Sequence, residues 1–138
     1  ANDGWSIQTM PSHLGVGKIG MVSGGASSVA RSLNTINDGA WHYVAIVNNN
    51  AVATVYVDGE DVTLDNVTGA PSYNSVPFII GQRETNTAVF NGDISNVKIF
   101  NRALTPEEIA VEYKRTGVSK MTQHNGTVYI QGQVKETI

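Results

Sequence analysis

The stretch that decides the fold is "DGAWHYVAIVNNNAVATVYVDG", residues 38–59. Two alternating runs, rich in β-branched and aromatic residues, lie on either side of an Asn-rich turn, and this order predicts a β-hairpin. In the second run Ala53, Val55 and Val57 share one face. In the first run both faces are mostly apolar, so we expect it to be covered on both sides, with Trp41 in the core.

Further strands are predicted wherever short apolar or alternating runs end at Gly, Pro or Asn. The compact apolar run "VPFIIGQ" is one of them, and "DISNVKIF" is another. The last residues predict a strand pair, or a single strand bent at Gly132. The predicted strands outside the hairpin are 5–10, 18–24, 60–64, 76–82, 93–100 and 126–138.

A single helix start stands out near residues 106–115. Thr105 is a suitable N-cap, Pro106 suits the first helical position, and Glu108 lies three residues after Thr105, so the three form a capping box. Acidic residues open the helix and basic residues close it, which is the order that the helix dipole favours. Gly117 is a natural stop.

Length and composition bound the classes of function. The chain has 138 residues, no cysteine and a net charge of −3, and only 15% of its residues are charged. This charge balance argues against a nucleic-acid partner, which requires clustered Lys and Arg. No apolar run reaches the roughly twenty residues of a membrane helix. The stretch "TGVSKMTQHNG", residues 116–126, is the expected boundary inside the chain. We expect an all-β domain over residues 1–117 and a C-terminal β extension over 118–138, packed on it or on a neighbour.

Three segments in a fixed order carry a resemblance to a known family. The hairpin of residues 38–59, the run "FIIGQ" and the segment "FNGDISNVKIFNRALTPEEI" together resemble the laminin-G-like and pentraxin-like branch of the concanavalin A-like lectin/glucanase superfamily, over residues 38–115. The resemblance implies an antiparallel jelly-roll sandwich of two sheets with one short helix. It also implies a non-catalytic module that binds glycans or proteins outside cells, often with calcium.

The sequence departs from that family in two places. Relatives usually begin with a further segment that carries the first strands of both sheets. The chain is therefore expected to be N-terminally truncated, to be completed by another chain, or to fill the gap with residues 118–138. The pentraxin calcium ligands correspond to "GQRETNT", where Arg83 stands at the first ligand position and only Glu84 could bind. We expect no cofactor, with calcium as the alternative and Glu84 as its weak candidate ligand.

Catalysis is not expected from the acidic residues or the histidines. Glycoside hydrolases, which share this architecture, need two carboxyl groups flanking the scissile bond. The acidic pairs here lie in a turn ("GED", 59–61) and in a helix cap ("PEE", 106–108). His42 has no metal-ligand spacing to another histidine and is interpreted as structural. Arg102 is expected to tie the strand end to the helix through a salt bridge.

Binding is instead predicted on the loops around residues 81–93, where family sites often lie at the rim of the sandwich. The candidate ligand-binding residues are Arg83, Glu84, Asn86, Asn91 and Asp93. The ligand would be a glycan or a protein. The alternative function is structural: a virion or cell-surface decoration that packs against a second copy or a partner chain, with the C-terminal tail added as a strand to the neighbour. Both alternatives place the protein outside the cell, at a surface or on a virion.

Overall fold

The computed structural model describes residues 5–10, 15–23, 28–49, 52–65, 78–82, 89–117, 122–124, 127–130 and 133–137. The described part is mostly β, with antiparallel sheets and one short helix. This confirms the predicted fold class, a β-sandwich of the concanavalin A-like type. The strands are β1 (Trp5–Thr9), β2 (Lys18–Ser23), β3 (Ser28–Thr35), β4 (Val44–Asn49), β5 (Val52–Val57), β6 (Glu60–Asp61), β7 (Thr63–Asp65), β8 (Thr122–His124), β9 (Thr127–Ile130) and β10 (Gln133–Thr137), and the helix is α1 (Pro106–Thr116).

The first sheet has the order β1-β2-β3-β7. Its ladder is interrupted between β2 and β3, where the register shifts between Lys18 and Gly20. At this interruption a side chain takes over from the backbone: the Ile19 amide donates to Ser32 Oγ at 3.1 Å, and Ser32 Oγ donates to the Asn34 carbonyl at 2.6 Å. Ser32 is fully buried, so its hydroxyl satisfies an amide that the irregular ladder leaves without a carbonyl partner.

The second sheet has the order β4-β5-β6. Strands β4 and β5 form the predicted hairpin, in a register that pairs Val44 with Val57 and Asn49 with Val52. The alternation in β5 gives the expected result, because Ala53, Val55 and Val57 are buried. The hairpin prediction is therefore confirmed, although β4 begins at Val44 rather than at residue 40.

The hydrophobic core lies between these two sheets. Ile19, Met21 and Ala30 from the first sheet form one cluster with the buried face of β5 and with Val62. Packing one apolar face of each sheet against the other is the arrangement by which a sandwich removes its β-branched residues from water. Three partly buried residues complete the cluster from the flanks: Ile36, Val44 and Ile46.

The two sheets are joined at a corner centred on Val62. Its amide donates to the Val55 carbonyl in the second sheet at 2.9 Å, and its carbonyl accepts from the Leu33 amide in the first sheet at 2.5 Å. The predicted strand 60–64 is thus divided: β6 pairs with β5, and β7 pairs with β3. Thr63 supports the corner, because its hydroxyl accepts from the Val55 amide and donates to Asp61.

Helix α1 has the start and the end that the sequence predicts. The Thr105 hydroxyl accepts from the Glu108 amide at 3.3 Å, and the Glu108 carboxylate accepts from the Thr105 amide at 2.9 Å, so both halves of the capping box are present. Gly117 ends the helix in the left-handed conformation. Ile109, which is 1% exposed, is the buried residue of the helix, and it gives this short helix the tertiary anchor that it needs.

The C-terminal strands form a separate sheet with the order β10-β9-β8. All its pairs are antiparallel, and β9 and β10 form a hairpin with Ile130 opposite Gln133. The predicted strand pair is therefore present, in preference to one long bent strand. β8, which precedes it, was not among the predicted strands.

Two of the predicted strands are wrong. The described residues 78–82 of the predicted strand 76–82 form only one isolated bridge, Gln82 with Val89. Residues 93–100 are not a strand: Asn96 has a positive φ of 54°, and no backbone hydrogen bond from this segment to another described strand is present. An alternating pattern gives a strand only where a neighbour pairs with its backbone. Conversely, β3, which lies at the centre of the first sheet, was not predicted.

Candidate functional site

The predicted binding loops are joined at their base by the Gln82–Val89 bridge. The Phe90 amide also donates to the Gly81 carbonyl at 2.8 Å, so the chain closes at the bridge and again one residue outside it. Arg83, Glu84 and Asn86 fall between the bridged residues and lie outside the described part of the chain. Asn91 and Asp93 follow the bridge, and both are exposed to solvent.

Trp41 does not lie in the core, contrary to the prediction from the sequence. It is 56% exposed and precedes the first residue of β4. The reason is the register of the hairpin: the ladder with β5 begins at Val44, so residues 40–43 run beyond the sheet. Trp41 thus belongs to an exposed loop, which begins near Asp38.

His42 is the best-defined polar centre near that loop. Its Nδ1 lies 2.9 Å from Asp58 Oδ2 and its Nε2 lies 3.0 Å from Asp38 Oδ1, while its side chain is only 15% exposed. Asp58 follows β5 and is itself fixed: its Oδ1 accepts from the Tyr43 amide at 3.0 Å, and its amide donates to the Tyr43 carbonyl at 2.9 Å. The two ring nitrogens therefore both face carboxylate oxygens.

This arrangement favours the charged imidazolium. Burial lowers the pKa of His42, but the hydrogen bonds and charges of Asp58 and Asp38 outweigh it, so the pKa is raised above 6.5. Only the imidazolium carries an N–H on each nitrogen and can donate to both carboxylates at once. A histidine held in this way has no free nitrogen to act as a general base, which agrees with its interpretation as structural.

Helix α1 packs on the same region through aromatic rings. The ring centroids of Tyr43 and Tyr113 are 5.8 Å apart, with a tilt of 41°. Tyr113 also lies against Gly59, the residue after Asp58. The turn after β5 is consequently held from two sides, by His42 and by the helix.

A shallow groove of about 350 Å³ separates residues 100–104 from helix α1. Phe100, Leu104 and Val111 supply its apolar lining. Arg102 makes two 2.7 Å hydrogen bonds to Glu108, which is the salt bridge to the helix that the sequence predicts for Arg102. Glu112 accepts from Lys98, which precedes the helix, at 2.6 Å, and from Arg115, three residues further along the helix, at 2.7 Å.

The ion pairs shift the pKa values of the helix carboxylates. The hydrogen bond from Arg102, followed by that from the Thr105 amide, lowers the pKa of Glu108 to about 2. The Lys98 ammonium is the leading cause that lowers the pKa of Glu112. A general acid needs a raised pKa, whereas these carboxylates stay ionised. They serve the helix and do not resemble a catalytic pair.

Several of the described carboxylates make structural contacts. Asp38 and Asp58 face each other across the His42 ring, so this pair leaves no room for a glycosidic bond between its carboxyl groups. No described group of three His, Asp or Glu residues is placed to hold a metal ion. The other carboxylates with partners are Asp61 (Thr63), Asp65 (Arg31), Glu108 (Arg102) and Glu112 (Lys98 and Arg115).

Sequence reasoning missed the link between His42 and the two aspartates. The signal for Asp58 was available, because a hairpin that pairs Val44 with Val57 places Tyr43 opposite Asp58. The signal for Asp38 was its position four residues before His42. Neither aspartate was predicted as a partner of His42, since the position of His42 depends on where β4 starts.

The comparisons with known proteins agree with this architecture. One solved structure, residues 221–444 of an S-layer domain-containing protein from Clostridium thermocellum, superimposes with a TM-score of 0.51 at 24% identity. The match covers 70% of this chain and 50% of that one, so the chain spans about half the length of its solved neighbour. At this identity the likeness shows the fold. A search of curated protein sequences finds no match.

The family comparison covers most of the chain. A laminin-G-type family model matches residues 1–110. Among the described helices, none is long and apolar enough to cross a lipid bilayer. The chain forms a two-sheet β-sandwich with a capped helix beside it, and the family match covers more than two-thirds of its length. It therefore belongs to the concanavalin A-like lectin/glucanases superfamily.

Proposed function

We propose that this domain is a non-catalytic recognition module that binds a glycan or a protein ligand through its exposed loops. The observation that carries the proposal is the Gln82–Val89 bridge, which joins the two ends of the candidate loop and leaves Asn91 and Asp93 exposed beside it. Loops whose two ends are held together are a common way to present binding side chains.

Shape and hydrogen bonds, rather than charge, would supply the specificity. The candidate residues include one cation, Arg83, two acidic groups, Glu84 and Asp93, and two amides, Asn86 and Asn91. Amide and carboxylate groups hydrogen-bond sugar hydroxyls as readily as peptide groups, so both ligand classes remain within the proposal. We assign no metal to the site, and calcium at Glu84 is the alternative that a binding assay with a chelator would detect.

Carboxylate geometry supports the absence of catalysis. Cleavage of a glycosidic bond requires two carboxyl groups separated by roughly 5 to 9 Å, with the sugar between them. In the described part of the chain the carboxylates of Asp38 and Asp58 enclose the His42 ring, while Asp61 supports a turn and Glu108 caps the helix. Incubation with oligosaccharides is expected to give no cleavage products.

The decisive experiment is ligand binding by matched Ala variants. Glycan-array binding of the intact chain is expected to be lost in Asn91→Ala and in Arg83→Ala. Asn101→Ala is the control, because Asn101 is also exposed but lies outside the candidate loops. Equal binding by all three variants, at unchanged thermal stability, would reject these loops as the site.

A structural role is the second candidate, and a specific observation favours it. Ile94, Val97, Ile99 and Phe100 are each about half exposed or more, along one segment. Apolar side chains concentrated in this way are typical of surfaces that pack against a neighbour. In this alternative the domain is a virion or cell-surface decoration, and residues 118–138 form a β extension that packs on residues 1–117 or on an adjacent copy.

Mass measurement in solution distinguishes the second candidate from the first. Assembly predicts a stable oligomer that dissociates when residues 126–138 are removed. Ligand recognition predicts that the same truncation leaves the mass per particle equal to one chain. Both candidates place the domain outside the cell, at a surface or on a virion, and this location is part of the proposal.

A further inference from the structure

Asp38, His42 and Asp58 connect an exposed loop to the turn that follows β5. The loop contains Asp38 and Trp41, and the turn contains Asp58 and Gly59. His42 is the link, since one ring nitrogen reaches each side, at 3.0 Å to Asp38 and 2.9 Å to Asp58. We propose that this link is a proton-operated latch, which fastens the loop of residues 37–41 to the turn when His42 is charged and releases it at Asp38 when His42 is neutral.

The release falls at Asp38 because the two carboxylates are held unequally. The side chain of Asp58 is 26% exposed and accepts from the Tyr43 amide, which lies outside its own turn, whereas the side chain of Asp38 is 58% exposed and its amide partner, Ala40, belongs to the same loop. A neutral imidazole has one N–H and one bare nitrogen. The neutral ring keeps its N–H on Nδ1, which donates to the better-held Asp58, so the bare Nε2 faces Asp38 Oδ1. Nε2 and Oδ1 are then both acceptors, 3.0 Å apart, and they repel each other.

The two carboxylates that act on the His42 ring both favour the fastened form at acidic pH. From the loop and the turn, Asp38 and Asp58 act on His42 and raise its pKa against the lowering effect of burial. From helix α1, Tyr113 packs on Tyr43 and Glu112 acts on the Tyr43 hydroxyl, while Glu60 acts on Tyr113. Tyrosine and glutamate do not change charge near neutral pH, so His42 is the group that operates the latch.

The direction of the pH effect follows from the raised pKa. The fastened form predominates while the pH is below the raised pKa of His42, and it is lost as the pH rises through that pKa, which lies above the ordinary 6.5. Gly39 lies within the loop, where nothing approaches within 4 Å of its Cβ position, so the loop has space to move. Trp41 would move with it, and a large exposed aromatic surface would change position with pH.

The test is a pH titration of the intact chain by NMR. The imidazole signals of His42, assigned with the His42→Gln variant, are expected to titrate above pH 6.5. The amide signals of Gly39 and Ala40 are expected to shift with the same midpoint, because the loop is released when the proton leaves. A His42 midpoint at or below 6.5, or loop amides that show no transition at the His42 midpoint, would overturn the latch.

Two variants separate the latch from a histidine that is merely structural. Asp38→Asn removes the exposed carboxylate, and the His42 midpoint is expected to fall while the pH-dependent shift of the Gly39 amide disappears. Asp93→Asn is the matched control, since it removes an exposed carboxylate elsewhere on the surface, and it is expected to leave both readouts as in the wild type. An unchanged Gly39 transition in Asp38→Asn contradicts the proposal, whatever the stability of the variant.

Discussion

The ring of Tyr113 closes over Gly59, so that a Cβ atom at residue 59 would lie 2.8 Å from Tyr113 Cδ1. The contact fixes helix α1 on the turn after β5, immediately beside the Asp58 carboxylate that holds His42 and Tyr43. Gly59 has a φ of +84°, in the left-handed region that favours glycine. The packing of the helix and the conformation of the turn therefore depend on the same residue.

Gly59→Ala is expected to destabilise the domain by more than Gly39→Ala. Gly39 has almost the same φ, +83°, but nothing lies within 4 Å of its Cβ position. Gly39→Ala should thus cost only the left-handed strain, about 1–2 kcal/mol. Gly59→Ala should add the displacement of a packed ring, about 1–3 kcal/mol. Urea unfolding of both variants, and of each combined with Tyr113→Ala, measures the difference. If Tyr113→Ala leaves the excess cost of Gly59→Ala intact, the ring contact is not its cause.

Ile109→Ala is expected to lower the free energy of unfolding by about 2–5 kcal/mol, as for other fully buried aliphatic residues. Ile109 is 1% exposed, and it is the residue by which helix α1 is buried. Val111→Ala, two residues further along the helix, is the control: Val111 is 47% exposed, and its truncation should change stability by no more than about 0.5 kcal/mol. Similar unfolding midpoints for the two variants would mean that the helix is not anchored at Ile109.

Ser32→Ala is expected to cost about 1–3 kcal/mol, because it leaves the buried Ile19 amide without an acceptor. Hydrogen exchange gives a local readout: the Ile19 amide should exchange faster in the variant, and more so than other amides of β2. Ser95→Ala, on the exposed surface, is the control and should leave both stability and exchange unchanged. Retained protection at Ile19 would show that its amide finds another acceptor at the bulge.

Thr105→Ala removes one half of the capping box and is expected to cost about 1 kcal/mol. Thr105→Ser keeps the hydroxyl that accepts from the Glu108 amide, so it should retain most of the lost stability. The effect should be local, with amides of the first helical turn exchanging faster in the Ala variant alone. Equal behaviour of the two variants would argue that the 3.3 Å hydrogen bond contributes little.

The charge on Glu108 is expected to persist to unusually low pH. Its pKa in the folded protein is about 2, below the ordinary 4.5, chiefly because of the Arg102 hydrogen bonds. A lowered folded pKa gives a contribution that is complete above pH 4.5 and is lost as pH falls through about 2. Carboxyl NMR titration should show a midpoint near 2 in the wild type and a rise towards 4.5 in Arg102→Ala. Arg115→Ala, which loses a partner of Glu112 instead, should leave the Glu108 midpoint where it was.

The amino-acid sequence alone determined those hydrogen bonds, caps and strand pairs whose two members lie close together in the chain. The capping box of α1, its stop at Gly117 and the pairing of β4 with β5 all depend on residues within about fifteen positions of one another. Each partner is then supplied by the neighbouring sequence, and propensity and periodicity suffice. The salt bridge from Arg102 to the helix, which was predicted without its partner and is made with Glu108, is also local.

The tertiary structure alone decided where those elements stop and which of them pair. Residues 93–100 alternate as a strand would, yet they do not form one, because pairing depends on a neighbour that the pattern does not specify. Trp41 is exposed because the ladder begins at Val44, and Val62 joins both sheets because its amide and its carbonyl bond different strands. The hydrophobic pattern indicates which side chains would be stabilised by burial. The backbone hydrogen bonds between distant segments determine which of those side chains are buried in the folded protein.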